Sequence, residues 1–333
     1  MGRYSLKIGI ILILSLALST SGRASELSED AQFSIITCTP GAELYARYGH
    51  TALRVADHKN DIDLTFNYGT FDFNTEHFYW KFVRGETWYE LSVTPTWWFN
   101  RMYSAEGRIV YEQVLHLDPT ERAELWSALE NNYRPENRRY LYNFVFDNCA
   151  TRPYHLIASS VGGLTSSYEG YRGVSYRRFL RRYTGMHSWA NAGINLLFGP
   201  KADQPMDDLD RLFLPEELML YLSQSHKADG EKLTSLPTDF SPFEQIKTPW
   251  YASWECGLVL YFLIVLAFSC FDRKRHTWSW GVELAAGIPY GLLLIIVTFL
   301  TFFSCHPLVG FGWRLLIIPL THLCARTISF IRL

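Results

Sequence analysis

Three apolar segments in the last quarter of the chain constrain its fold most. WECGLVLYFLIVLAFSCF (254–271) and GVELAAGIPYGLLLIIVTFLTFF (281–303) approach or exceed the length that crosses a hydrocarbon core of about 30 Å. LVGFGWRLLIIPLTHLCA (308–325) is a third, more polar candidate. We therefore predict that residues 251–333 form a transmembrane region, folded as a C-terminal helix bundle.

Charged flanks predict how these spans are oriented. The basic run DRKRH (272–276) separates the first two spans, and basic residues also flank the end of the chain. Basic segments usually face the cytoplasm, so the residues before 254 and the loop SCHPLVG (304–310) should lie together at the outer face. We expect a multi-pass protein of a bacterial inner membrane.

The residues before the spans divide into three predicted parts. Residues 1–24 have a basic start, a short apolar stretch and small residues at their end, as in an export signal, with an uncleaved anchor as the alternative. Residues 25–226 should form a periplasmic catalytic domain, and the polar, proline-bearing segment 227–250 a linker.

Composition excludes several classes of function. The net charge of −2 gives no nucleic-acid signature, and no glycine-rich nucleotide motif is present. Because the histidines and cysteines do not fall at zinc spacings, we predict no metal and no cofactor.

The pair Asn148-Cys149 lies where a β-like aromatic stretch turns into a helix that ends at Gly162-Gly163. Pro153 is tolerated only in the first turn of that helix, which puts Cys149 at a helix N-terminus, where the dipole favours a thiolate. HTALRV and DLTFNYG should form a hairpin with His50 at its outer end and Asn67 within reach. An α+β fold with an antiparallel sheet follows.

A cysteine at a helix N-terminus together with a strand histidine is the arrangement of a cysteine acyl-transfer enzyme. We predict Cys149 as nucleophile, His50 as base and Asn67 as its partner, with Asp72 as the charged alternative to Asn67. Each residue could equally be structural. A disulfide between Cys149 and Cys38 is the main alternative in an exported domain.

Other residues are candidates for substrate binding. Arg47, Tyr48 and Arg152 flank the histidine and the cysteine and could hold a phosphate or an oxyanion. His306 lies in the outer loop, and Arg314 could bind a lipid phosphate from the third span. The basic helix predicted over 174–183 could lie on headgroups or simply face solvent.

Several motifs in order resemble a known family. YGHTALRV, FNYGTFDF, KFVRGETWYEL, NFVFDNCATRP, FGPKADQP and LFLPEEL resemble the N-terminal periplasmic domain of the Lnb family of lipoprotein N-acyltransferases, over roughly residues 33–225. FFSCHP resembles the membrane part of the same family. The histidine-before-cysteine order also resembles circularly permuted, NlpC-type papain-like proteins.

The resemblance implies an acyl transfer in two steps. Cys149 would take an acyl chain from a membrane phospholipid as a thioester and pass it to the α-amine of diacylglyceryl-cysteine on a lipoprotein, with His50 moving protons. Two other hypotheses stay open: a membrane-tethered cell-wall amidase or peptidase, and an inactive lipid-binding protein.

Overall fold

The computed structural model describes residues 27–71, 75–244, 247–275 and 280–312. The strands in these ranges are β1 (Gln32–Cys38), β2 (His50–Asp57), β3 (Ile62–Thr70), β4 (Trp88–Pro95), β5 (Val110–Val114), β6 (Arg139–Leu141), β7 (Leu164–Ser166) and β8 (Ser225–Lys227). The α-helices are α1 (Phe78–Arg84), α2 (Thr96–Ala105), α3 (Pro119–Tyr133), α4 (Thr151–Ser160), α5 (Tyr176–Thr184), α6 (Trp189–Leu197), α7 (Pro215–Ser223), α8 (Trp254–Arg275) and α9 (Trp280–Phe303).

An antiparallel sheet of six strands, in the order β5-β1-β2-β3-β4-β6, organises the N-terminal part. The predicted hairpin is confirmed as β2 and β3, whose ladder runs from Asp57–Ile62 to Leu53–Phe66. On the other side of β2, β1 pairs along its whole length and places Cys38 opposite His50. The mixed α and β architecture with an antiparallel sheet is therefore as predicted.

Both faces of the sheet are covered by helices, because successive strand residues point to opposite faces. Phe33, Ile35, Leu53 and Val55 share a core with residues of α3, α4 and α7. Ile36, Cys38 and Ala52 point the other way and pack against Phe99 of α2. Cys149 belongs to the first of these two clusters.

Local sequence accounts for the helix that precedes the cysteine segment. Asp118 caps α3 by accepting a hydrogen bond from the Glu121 N–H at 2.8 Å, and the Glu121 carboxylate accepts one from the Asp118 N–H at 2.8 Å. Pro119 occupies the first turn, where its missing N–H costs nothing. The helix ends before Pro135, as the sequence predicts.

The segment predicted as a linker is packed against the domain over residues 227–243. The Leu233 carbonyl accepts a hydrogen bond from the His116 N–H at 2.8 Å, and the Thr234 hydroxyl donates to the Val114 carbonyl at 2.6 Å. Phe243 is buried, and its N–H donates to Glu216 at 2.6 Å. Backbone bonds to the sheet edge and one buried aromatic ring thus make this polar stretch part of the fold.

Two arginines of α5, Arg177 and Arg182, face inward, whereas Arg178 on the same helix is exposed. Arg177 is buried and binds Asp203, with Nε 2.6 Å from Oδ1. Arg182 binds the fully buried Glu216 at 3.1 Å. The basic pattern of this helix does not reveal that carboxylates lie against Arg177 and Arg182.

Two long helices follow. Within the described residues, one segment is long and apolar enough to cross a membrane, Trp254–Asp272 of α8, with a mean hydropathy of 2.0. The apolar part of α9, Gly287–Phe303, falls just below that length. Residues 308–312, where the third span was expected to begin, form a loop, and 313–325 lie outside the described residues.

Candidate active site

Cys149 lies in a tight turn that Asn148 holds in place. The Asn148 side-chain oxygen accepts hydrogen bonds from the N–H groups of Ala150 and Thr151, at 2.8 and 3.0 Å. Its side-chain N–H₂ donates to the carbonyls of Phe144 and Phe213, both at 2.8 Å. All four polar contacts of a buried amide are thus satisfied, which fixes the backbone on both sides of Cys149.

The Cys149 sulfur faces backbone donors. Cys149 immediately precedes Ala150, the N-cap of α4, and the backbone N–H groups of Thr51 and of Cys149 itself act to lower the pKa of the thiol. These two donors favour a thiolate and could equally bind an oxyanion that forms at the same place. Thr51 directly follows His50, so one strand brings both the histidine and a donor to the cysteine.

The helix N-terminus favours a thiolate at Cys149, but burial of the thiol has a larger and opposite effect on its pKa. Burial raises the pKa of Cys149 to about 11, outweighing the backbone N–H bonds and the more distant Arg108, which act in the opposite direction. Removing a thiolate from water costs more than two amide donors return. The resting cysteine is therefore a protonated thiol.

His50 is held by Asn67. The distance from His50 Nε2 to Asn67 Oδ1 is 2.6 Å. Because a side-chain carbonyl only accepts, Nε2 carries the proton and Nδ1 keeps its lone pair. Burial lowers the pKa of His50 to about 4, with Arg108 adding to the effect and the Asn67 bond opposing it. At neutral pH the ring is neutral and can act as a base through Nδ1.

Tyr103 of α2 lies against one face of the imidazole. The Tyr103 ring stacks on His50 with centroids 5.7 Å apart and an angle of 11°. The Arg108 guanidinium lies over the far face of Tyr103, 4.5 Å from its centroid, and its Nε donates to the Thr39 carbonyl at 2.6 Å. The ring of His50 is therefore fixed by a hydrogen bond at one edge and by stacking on its face.

Gly69 marks the point where His50 and Cys149 meet. A Cβ atom at Gly69 would lie 3.7 Å from both Cys149 Cβ and His50 Cε1, so those two atoms are separated by at most twice that distance. The register of β3 against β4 shifts between Asn67 and Thr70, and Gly69 has a φ of 98°. A bulge with a residue lacking a side chain thus lets the two residues approach from opposite faces of the sheet.

Comparison with protein families agrees with this arrangement. Residues 24–181 match the Lnb N-terminal periplasmic domain, and residues 245–332 match the Lnb transmembrane domain. The chain belongs to the Lnb family. Comparison with curated proteins and with solved structures gives no match.

Lnb membership indicates a membrane protein that has a periplasmic part and is connected with lipoprotein maturation, and it suggests an enzyme. His50, Asn67 and Cys149 all lie within the residues that match the Lnb periplasmic domain. The two matched domains also correspond to the two parts seen in the fold, the sheet domain and the long helices that follow it.

Both cysteines of the Lnb periplasmic domain are free and buried. Cys38 lies on β1 directly opposite His50, on the α2 side of the sheet, whereas Cys149 belongs to the core on the α4 side. Since the structure contains no bond between them, the disulfide alternative finds no support.

The three flanking residues differ in their surroundings. Arg152 forms a two-point ion pair with Asp147, with Nη2 2.8 Å from Oδ2, and lies 3.6 Å from the centroid of the Tyr140 ring. Its guanidinium is therefore engaged within the domain. Tyr48 packs against Phe144 with centroids 4.8 Å apart, and burial raises its pKa to about 12. Arg47, beside it, is half-buried.

The remaining predicted residues lie apart from the cysteine or outside the described ranges. His306 Nε2 lies 3.0 Å from the Phe82 carbonyl, so this histidine ties the outer loop to α1. Asp72 and Arg314 lie outside the described residues. Among the described residues, no group of three or more His, Cys, Asp or Glu side chains could hold a metal ion.

Four residues of the site were not predicted from the sequence to have a functional role. Asn148 was noted only as the neighbour of Cys149, although its four hydrogen bonds organise the turn. Thr51 contributes through its backbone, which no side-chain pattern reveals. Tyr103 and Arg108 come from α2 and the loop after it, and only the packing of α2 on the sheet brings them to His50.

Proposed function

We propose that this protein is a cysteine-dependent lipoprotein N-acyltransferase of the bacterial inner membrane, with several spans and a periplasmic catalytic domain of permuted papain-like type. The observation that carries the proposal is the meeting of Cys149 with His50 beside Gly69, with Nε2 of His50 bound to Asn67. Membership in the Lnb family, which is connected with lipoprotein maturation, supports this choice of substrates. The acyl donor is a membrane phospholipid and the acceptor a diacylated lipoprotein.

The first half-reaction forms a thioester. His50 Nδ1 takes the proton of the Cys149 thiol as the sulfur attacks the ester carbonyl of the phospholipid. The N–H groups of Thr51 and Cys149 bind the oxyanion of the tetrahedral intermediate. The intermediate collapses, the C–O bond to glycerol breaks, and the proton on His50 passes to the departing oxygen. The products are acyl-Cys149 and a lysophospholipid.

The second half-reaction uses the same groups in reverse. The neutral α-amine of the lipoprotein cysteine attacks the thioester carbonyl, and His50 accepts one of its protons. The C–S bond breaks, and the proton returns to the Cys149 sulfur. The acyl chain is now an amide, and the enzyme is restored without any cofactor. A neutral thiol and imidazole at rest suit this cycle, because His50 carries the thiol proton to the leaving alcohol and later carries an amine proton to the sulfur.

Mass spectrometry of the intact protein tests the covalent step. The detergent-purified protein is incubated with phospholipid, and the same sample is measured before and after hydroxylamine. We expect a fatty-acyl adduct that hydroxylamine removes, present in the wild type and in Cys38→Ala but absent from Cys149→Ala. Adding a diacylated lipopeptide should remove the adduct and N-acylate the peptide.

Other outcomes would point to the other hypotheses. An unmodified Cys149 together with cleavage of a cell-wall peptide would favour the amidase. An adduct that persists in Cys149→Ala would rule out the proposed nucleophile.

A further inference from the structure

Helix α1 (Phe78–Arg84) exposes nearly all of its apolar side chains. Phe78 is its buried residue, whereas Tyr79, Trp80 and Phe82 are 76%, 55% and 49% exposed, and Val83 is also exposed. Such a density of exposed aromatic residues on one short helix marks an interaction surface. None of these residues touches the proposed catalytic groups directly, so catalysis alone does not account for them.

Three contacts hold α1 at the outer end of α9. The Trp80 and Phe299 rings have centroids 5.3 Å apart. The Cys305 N–H donates to the Arg84 carbonyl at 2.7 Å, and the His306 ring lies 3.0 Å from the Phe82 carbonyl. Because α9 belongs to the matched transmembrane domain and ends at Phe303, these contacts put α1 at the height where a span leaves the hydrocarbon.

The residue types of α1 suit a position at the boundary between hydrocarbon and headgroups. Tryptophan and tyrosine concentrate at the boundary between hydrocarbon and headgroups, where an apolar ring and a polar tip are both accommodated. Lys81 on the same helix matches the phosphates of lipid headgroups, whereas Arg84 pairs with Glu86 at 2.7 Å. Binding of a soluble protein partner would not require α1 to be held against the membrane helix α9.

A row of aromatic rings leads from α1 towards Cys149. The Phe78 ring stacks on Phe71 with centroids 5.7 Å apart, and Phe71 lies 5.0 Å from Tyr89. Tyr89 stacks on Tyr142 at 4.2 Å. Tyr89 and Tyr142 both pack against the core cluster that contains Cys149.

We infer that α1 is embedded in the outer part of the bilayer and that the acyl chain of a bilayer lipid reaches Cys149 over the row Phe78, Phe71, Tyr89 and Tyr142. The position of α1 rests on its contacts with α9, and the delivery of the chain rests on the proposed function. The proposed ligand of this surface is therefore the acyl chain of a lipid in a membrane.

Photo-crosslinking tests the position of α1 without any turnover. Full-length Cys149→Ala protein is placed in nanodiscs of phosphatidylethanolamine and phosphatidylglycerol, with a diazirine near the carboxyl end of one acyl chain. Peptide mass spectrometry should find adducts on residues 78–84 as well as on α8 and α9. Adducts on α8 and α9 without any on 78–84 would overturn the inference.

Two acyl donors test the delivery of the chain. In Tyr79→Glu, thioester formation from long-chain phospholipid in vesicles should fall by roughly tenfold or more, because a carboxylate is expelled from the interface. The rate with dihexanoyl phospholipid, dispersed as monomers, should stay within about twofold, because that donor needs no membrane surface. Tyr79 is chosen because Trp80→Glu would also remove the contact with Phe299.

Leu209→Glu is the matched control, since Leu209 is 49% exposed, like Phe82, and lies in an acidic loop away from α9. It should change neither rate. Equal loss with both donors in Tyr79→Glu, or no loss with vesicles, would overturn the delivery of the chain over α1. Failure of the wild type with both donors would instead overturn the proposed function, and crosslinking alone would then decide the position of α1.

Discussion

Cys38 and Cys149 are both buried and free, yet their surroundings differ in kind. Cys38 is in the middle of the sheet, between two paired strands, and burial raises its pKa strongly. Cys149 is in a turn before a helix, where two backbone N–H groups face its sulfur. Both thiols lie close to His50, Cys38 as its strand partner and Cys149 across Gly69.

The difference shows that burial and a nearby histidine do not suffice to make a nucleophile. Around a thiol in a continuous ladder, the backbone N–H groups are already bonded to the paired strands. None of them is available to donate to a charge that develops on the sulfur. In the turn before α4 the Cys149 N–H lies outside the ladder, and with the N–H of Thr51 on β2 it can stabilise a thiolate or an oxyanion. The predictions below test that distinction.

The largest effect is expected when Cys149, but not Cys38, is replaced by alanine. Cys149→Ala should lower acyl transfer by at least roughly 10⁴-fold, because no thioester can form. Cys38→Ala should leave transfer within about threefold and cost only about 1 kcal/mol of stability. The assay measures N-acylated lipopeptide with purified protein, and thermal unfolding checks the fold. Loss of activity in both variants would remove the distinction between the two sites.

Alkylation at different pH values compares the two thiols directly. Iodoacetamide reacts with thiolate, and the pKa of Cys149 is about 11, so its labelling rate should rise about 100-fold between pH 7 and pH 9. Cys38 should stay unlabelled in the folded protein. Quantification by peptide separates both from the membrane cysteines. A Cys149 rate that is constant from pH 5 to pH 9 would indicate a preformed ion pair with His50 instead.

Changing the partner of His50 should have the next largest effect. Asn67→Ala frees the ring to rotate and should lower the rate of thioester formation up to about 100-fold. Asn67→Asp places a carboxylate beside Nε2, which favours the protonated ring and raises the pKa of His50 above its value of about 4. Because activity needs the neutral ring, lowering the pH should abolish activity at a higher pH in Asn67→Asp than in the wild type.

Ser92→Ala is the matched control for Asn67, because Ser92 faces Asn67 across the ladder between β3 and β4. Ser92→Ala should leave unchanged both the rate of thioester formation and the loss of that rate at low pH. An acid limb that does not move in Asn67→Asp would show that His50 is not the group whose titration limits the rate.

The smallest effect is expected from Arg152, which lies one turn after Cys149. Because its charge is already paired with Asp147 at a partly exposed position, Arg152→Gln should cost about 1 kcal/mol or less in stability and leave acyl transfer within about threefold. Chemical unfolding and the lipopeptide assay measure the two quantities. A large rise in KM for phospholipid, with kcat unchanged, would revive the predicted role in phosphate binding.

Much of the fold can be predicted from the sequence where it depends on a local pattern of residues. The hairpin of β2 and β3, the capped helix α3 and the helix after Cys149 depend on residues close together in the chain, such as Asp118 with Glu121. The contact of His50 with Asn67 was within reach for the same reason, because a hairpin register follows from its turn. The raised pKa of Cys149 does not follow from its position before a helix, since burial is a property of the packed domain.

By itself, the sequence determined that the chain has a domain of mixed α and β structure followed by apolar helices, because periodicity and apolar length are written residue by residue. It also pointed to Cys149 and His50. Only the tertiary structure decided how they meet: a bulge at Gly69, the amide donor of Thr51, and the rings of α2 come from segments far apart in the chain. The inward arginines of α5 and the exposed face of α1 were decided in the same way, because which face of a helix is covered depends on what packs against it.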